Sequence, residues 1–281
     1  MISEDFHETT RSLCDITLYT VIEGMRRYSY KSLNTTISVL LFTLINHCKS
    51  ELSRCIFKLT FASLYQQLLF ALTHVNNPNN KQRYKFYRHD LSQLLVGVRS
   101  DAVSGWLILA SFFYGRKKYL TSIDIINFTL SKYVDKSSLS KISLKQTDTL
   151  KLISLLPSPC IDFHNIDTIN SVTPMELKYP HDFSIMISSI PFAHFLNFLC
   201  CYHLHDLKST RHCMNKLLET VSEYCHSRVQ KQIAIAYDFI LLGIAFQMLG
   251  ETYLARKYFR IAAQHDPDNL TFAAFKLCQF C

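Results

Sequence analysis

Apolar residues recur three and four positions apart through most of this chain, the spacing that lines one face of an α-helix. The pattern is dense over residues 34–45 and 52–72 and predicts several helices within 12–97. Asn76-Asn77-Pro78-Asn79-Asn80 breaks it as a turn, and Leu91, Leu94, Leu95 and Val98 resume it over 84–98. An antiparallel helix pair follows over 100–114 and 120–132, with Gly115 and the basic triplet Arg116-Lys117-Lys118 between its members. A Ser/Lys/Thr-rich stretch, 135–149, then leads to an apolar run at 150–156.

Residues 157–191 contain five of the seven prolines: Pro157, Pro159, Pro174, Pro180 and Pro191. Proline fixes φ and removes a backbone donor, so this stretch predicts an irregular crossover instead of a long helix. Helical spacing returns at Phe192. One hairpin is expected from 192–205 and 208–224, a second from 229–249 and 252–265, and a last helix over 270–281. No set of alternating strands is visible. The expected fold is all-α, built of antiparallel helical hairpins. Its expected divisions are an N-terminal helical region (1–98), a first hairpin with the following segment (99–156), the Pro-rich crossover (157–190) and a C-terminal array (191–281).

The strongest local signal spans the 34 residues 236–269. Phe239, Leu242-Gly243, Phe246, Gly250, Ala255, Phe259, Ala262 and Pro267 stand at the offsets of a tetratricopeptide repeat, with Phe239 in the place usually held by Trp. Gly243 and Ala255 let two helices approach, Phe246 and Phe259 fill the space around that contact, Gly250 makes the turn, and Pro267 ends the second helix. A degenerate copy uses Trp106, Leu109-Ala110, Phe113, Ser122 and Ile126. A third, weaker copy uses Phe195, Phe198-Leu199 and Tyr202, with Arg211 where a small residue is expected.

Three stretches sharpen this into a family resemblance: Gly105-Trp106-Leu107-Ile108-Leu109-Ala110-Ser111-Phe112-Phe113-Tyr114, Phe195-Leu196-Asn197-Phe198-Leu199 and Leu242-Gly243-Ile244-Ala245-Phe246. Together they resemble the C-terminal helical region of mollusc proteins that carry a Mab-21-like, cGAS-like nucleotidyltransferase domain ahead of it. The likeness covers most of 84–281. It implies an accessory or recognition region, not the catalytic half. A nucleotidyltransferase needs a Gly-Ser turn leading into a strand with paired carboxylates that hold metal. Ser104-Gly105 instead leads into a Trp-containing helix, and Asp124 is a lone carboxylate.

Composition narrows the class without naming a chemistry. The 281 residues are 48% hydrophobic, with 20 Phe and 15 Tyr, so a large core forms without staples. Thirty Lys and Arg against 22 Asp and Glu leave a charge of +8, which favours an acidic partner. Direct nucleic-acid binding stays open, because the basic runs are short. Residues 1–10 carry three acids and no apolar run, which predicts no secretory signal and a location in the cytosol or nucleus. The charge-free stretch 183–205 is punctuated by serines, histidines and Pro191, so it predicts a loop and buried helix, with no membrane span.

Ten cysteines in such a setting read as reduced thiols that pack as small hydrophobes. Cys201, His205, His212 and Cys213 offer zinc-type donors, but their spacing is not that of a finger or knuckle. Cys225-His226 lacks an orienting partner, and Cys278/Cys281 lacks the turn and second pair of a redox motif. No catalytic, cofactor-binding or metal residue is assigned. In helical-repeat arrays, contacts with partners come from exposed residues on the first helices. Asn197, Asp238, Gln247 and Glu251 are therefore the expected interaction surface. The expected role is a noncatalytic protein-interaction scaffold for a protein or peptide. The alternative is an accessory component of a cGAS-like nucleic-acid or nucleotide-sensing assembly.

Overall fold

A computed structural model describes residues 80–98, 103–132, 160–164, 172–178, 184–225 and 232–279, together with Thr43 and Asn46. Apart from Thr43 and Asn46, the helices expected over 12–75 lie outside the described residues, as does the apolar run at 150–156. Among those described, eight α-helices and one short strand pair are present. The helices are α1 (Asn80–Gly97), α2 (Ser104–Gly115), α3 (Tyr119–Lys132), α4 (Ser189–His203), α5 (Leu207–Cys225), α6 (Gln232–Met248), α7 (Thr252–Gln264) and α8 (Ala273–Cys278). The strands are β1 (Cys160–His164) and β2 (Ser184–Ser188).

The helices pair as α2/α3, α4/α5 and α6/α7, and the three hairpins stack in chain order. α3 packs on α4, α5 packs on α6, and α4 also touches the first helices on either side of it, α2 and α6. The sequence dictates this layering. α2, α4 and α6 are apolar on nearly every face, and a helix of that kind needs cover all round. α5 and α7 instead keep a charged face in water and bury Cys213, Met214 and Leu217, or Ala255, Phe259 and Ala262, against their partners. Among the described residues, the first helices thus lie between their hairpin partners and the rest of the core.

All three hairpins turn in the same way. In each, the last turn of the first helix ends on a residue in the left-handed region: Lys117 (φ 59°), His205 (φ 58°) and Gly250 (φ 81°). The next backbone N–H reaches back five residues: Lys118 to the Phe113 carbonyl at 2.9 Å, Asp206 to Cys201 at 3.1 Å, Glu251 to Phe246 at 3.0 Å. This is the Schellman closure, which satisfies carbonyls that the helix end leaves without partners. The same three residues then accept from the second helix through their carbonyls: Lys118 from Ser122, Asp206 from Thr210, Glu251 from Ala255.

The shared turn corrects the register of the third copy by one residue. Cys201, not Tyr202, is the counterpart of Phe246, and Thr210, not Arg211, is the counterpart of Ala255. Thr210 is buried and Arg211 is exposed, so the small position is filled by a small residue after all. In the first hairpin, buried Ser122 holds that position and donates its hydroxyl to the Ala110 carbonyl across the pair at 2.9 Å. The spacing of Phe195, Phe198 and Tyr202 misled because α4 is apolar all round, and several registers fit such a helix equally well.

The described parts of the crossover are 160–164, 172–178 and 184–188. β1 and β2 pair antiparallel, with Cys160 opposite Ser188 and His164 opposite Ser184, a single strand pair in an otherwise helical set of described residues. Pro191, counted with the crossover from sequence, is the third residue of α4. Its missing N–H costs nothing there, because the first turn of a helix has no partner for it. The last helix is shorter than expected, ending at Cys278. β2 lies on α6, and Val172, Leu177, Ile185 and Ile187 join the core formed by the hairpins. Burial of each such side chain contributes about 1.5–3 kcal/mol, so this arm is an integral layer of the fold.

Candidate functional site

One group of polar residues distant in sequence meets where the crossover lies against the first helices. Ser111 of α2 donates its hydroxyl to the Val172 carbonyl. Three residues along, the Tyr114 hydroxyl donates to Glu176 Oε1 at 2.6 Å. His203, in the last turn of α4, brings Nε2 to 3.0 Å from the same hydroxyl and 3.5 Å from Glu176 Oε1. The Tyr119 ring stacks on the His203 ring at 5.3 Å, with 11° between the planes. At the other end of the crossover, Asp238 of α6 accepts from the Ser188 N–H at 3.2 Å and from the Ser188 hydroxyl at 2.5 Å.

The electrostatics follow from burial. Desolvation, and then the bond to Glu176, push the Tyr114 phenol far above its usual range. Burial pushes the neighbouring Cys200 thiol up to about 12. Lys178 is held below its ordinary value by burial, against the pull of Glu176. Glu176 Oε2 is buried and accepts no hydrogen bond from the described residues. Tyr114 and Cys200 therefore keep their protons at neutral pH, and neither offers a nucleophile. The geometry is that of a clamp: one carboxylate on the crossover gathers a tyrosine from the first hairpin and a histidine from the second. Asp238, enclosed on all sides, has its carboxyl pushed up to about 7 by desolvation, while its two bonds to Ser188 pull the other way.

Of the four residues expected to form an interaction surface, Asp238 is buried, Asn197 and Gln247 are half-buried and Glu251 is exposed. Asp238 is only 1% exposed and is consumed by Ser188, so it is withdrawn from the surface. The layering explains this: α6 is covered by β2 on the face where a partner was expected. Asn197 is half-buried on α4, and its Oδ1 accepts from the Cys201 thiol at 3.8 Å. Gln247 is half-buried and Glu251 exposed at the turn of the third hairpin. Asp238 and Gln247 are nine residues apart on one helix, which at 100° per residue puts them on opposite faces.

Sequence reading missed Tyr114, Tyr119, Glu176, His203 and Ser188. No spacing could have found them, since Tyr114 is 62 residues from Glu176 and 89 from His203. Of the zinc-type donors, Cys201 and Cys213 meet, whereas His205 and His212 are exposed. Among the described residues, no three His, Cys, Asp or Glu side chains converge on a metal-sized site. No described helix is long and apolar enough to cross a membrane.

A second surface was legible but went unread. On α7, Tyr253, Arg256, Lys257 and Arg260 are all exposed, Tyr253 by 79%, and the helix contains no acidic residue. Their spacing of three and four puts them on one outward face. No protein-family model, curated protein or solved structure matches this chain.

Proposed function

We propose that this chain is a noncatalytic protein-interaction scaffold, a stack of degenerate tetratricopeptide-like hairpins that presents the cationic face of α7 to an acidic protein segment. The observation that carries this reading is the exposed row Tyr253, Arg256, Lys257 and Arg260, on a helix fixed to the core by Ala255, Phe259 and Ala262. A rigid helix with unopposed charge and one exposed aromatic supplies both steering and an anchor. Glu251 and Gln247 border this face at the turn and set its edge. The face of α6 that carries Asp238 is unsuited to the role, because β2 already covers it. The shared left-handed turn and the small buried residues Ser122, Thr210 and Ala255 support the repeat reading.

The test is capture of partners from a cytosolic or nuclear extract by the intact chain, compared with an R256E/K257E/R260E variant of equal thermal stability. Partners that are acidic, lost from the variant and weakened by salt support the proposal. Partners held equally by both proteins overturn the assignment to α7, and retention of only nucleic acid overturns the protein-scaffold reading.

A further inference from the structure

The middle hairpin carries a second feature, independent of any partner. Cys201 stands in the last turn of α4 and Cys213 in the second turn of α5, with their sulfurs 4.0 Å apart across the turn. Both are nearly buried, at 6% and 5% exposure. The third hairpin shows that the fold itself brings these two positions together. Their counterparts there, Phe246 and Tyr258, stack with ring centres 5.3 Å apart and planes 2° from parallel. Where that hairpin places two rings, the middle one places two thiols. Cys200, the neighbour in sequence, faces the first hairpin and bonds to Ser122, so it does not compete for Cys213.

We propose that Cys201 and Cys213 are a redox-active dithiol that closes into a disulfide across the middle hairpin when the protein meets a peroxide. The two sulfurs divide the work. The hydrogen bond between the two thiols holds Cys201 below its usual range, against burial and the nearby Asp206 carboxylate, and drives Cys213 upward. Cys201 is the attacking thiolate and Cys213 the resolving thiol.

In the first step Cys201 sulfur bonds to the outer peroxide oxygen and the O–O bond breaks. The alkoxide or hydroxide that leaves takes up the proton lost by Cys201, and Cys201 becomes a sulfenic acid. In the second step Cys213 sulfur attacks Cys201 sulfur and loses its own proton. The S–O bond breaks, and hydroxide leaves with that proton as water. Two thiols and one peroxide give one disulfide, one alcohol or water, and one further water. The sulfurs lose two electrons, and the peroxide gains them. Closure shortens the sulfur separation from 4.0 Å to about 2 Å.

The experiment treats the full chain with hydrogen peroxide, blocks remaining thiols by alkylation and maps peptides without reduction. Lys208 and Arg211 allow the two cysteines to be cleaved apart, and fragment ions separate Cys201 from Cys200. The expected result is a Cys201–Cys213 linkage, about 2 Da lighter than the two thiols, removed by a dithiol reductant. The oxidised protein is expected to melt about 5 °C higher. In C213S the linkage is lost, and a 1,3-diketone traps a sulfenic acid on Cys201 instead. Alkylation of both cysteines after peroxide treatment, while exposed Cys278 is oxidised, overturns the proposal. So does a linkage from Cys201 to any other cysteine.

Discussion

The ring of Phe259 stands where a side chain on residue 243 would begin: a Cβ on Gly243 would lie 2.6, 2.7 and 2.8 Å from three of its atoms. The third hairpin is therefore closed by a glycine against a buried aromatic ring. The first hairpin solves the same contact differently, with Ala110 and Ile126 at the equivalent positions, both fully buried. Volume lost on one helix is regained on the other.

G243A is expected to lower stability by about 1–3 kcal/mol, since the added methyl meets a ring that the core holds in place. G243A/F259I reproduces the pairing of the first hairpin and is expected to recover part of that loss. Urea unfolding of the single and double variants measures it. A G243A protein as stable as the parent would show that the two helices are not this close.

Asp238 makes stability depend on pH in a defined direction. Its carboxyl titrates near 7 in the folded protein, against an ordinary value of 3.8. Below that ordinary value both folded and unfolded chains are protonated and nothing is lost. Between about 4 and about 7 only the folded chain keeps its proton, so stability falls as pH rises, by at most about 1.4 kcal/mol per pH unit. Above about 7 the loss is complete. D238N keeps an acceptor for the Ser188 N–H and adds a donor for its hydroxyl, without a charge. It is expected to flatten the slope and to equal or exceed the parent at pH 8. Melting temperatures across pH 4–8 test this, and an unchanged slope would assign the titration to another group.

The three turns differ in what their left-handed residue costs. Gly250 adopts φ 81° without a side chain, whereas Lys117 and His205 hold a Cβ in the same region. H205G and K117G are each expected to raise stability by about 0.5–1 kcal/mol. G250A is expected to lower it by about 1 kcal/mol. Chemical denaturation of the three variants settles the signs, and stabilisation by G250A would contradict the shared turn geometry.

Tyr114 holds the crossover through one hydroxyl. Y114F removes the donor to Glu176 Oε1 and leaves that carboxylate with His203 alone, at 3.5 Å. The expected cost is about 1–2 kcal/mol. Limited proteolysis gives an independent reading, because cleavage after Lys178 should quicken relative to cleavage in the hairpin turns. Equal rates at both places would mean that the clamp does not hold the crossover.

The amino-acid pattern alone determined the helical class, the three hairpins and most of their boundaries, because helical period and turn residues are local properties. The pairs 104–115 with 119–132 and 232–248 with 252–264 differ from the sequence expectation by only a few residues at their ends. The pattern also held Gly243, Ala255 and Phe259 as a packing set, since residues on adjoining helices of one hairpin are few positions apart. It failed where a helix is apolar on every side. α4 gave no register, and Asp238 on α6 looked free because nothing local says what covers it.

Only the tertiary structure decided that the crossover returns over the first helices, that β2 covers α6, and that Tyr114, Glu176 and His203 meet. Those contacts join segments tens of residues apart. They are selected by the need of three apolar helices for cover on a second side, a requirement the whole assembly satisfies and no single stretch of sequence records.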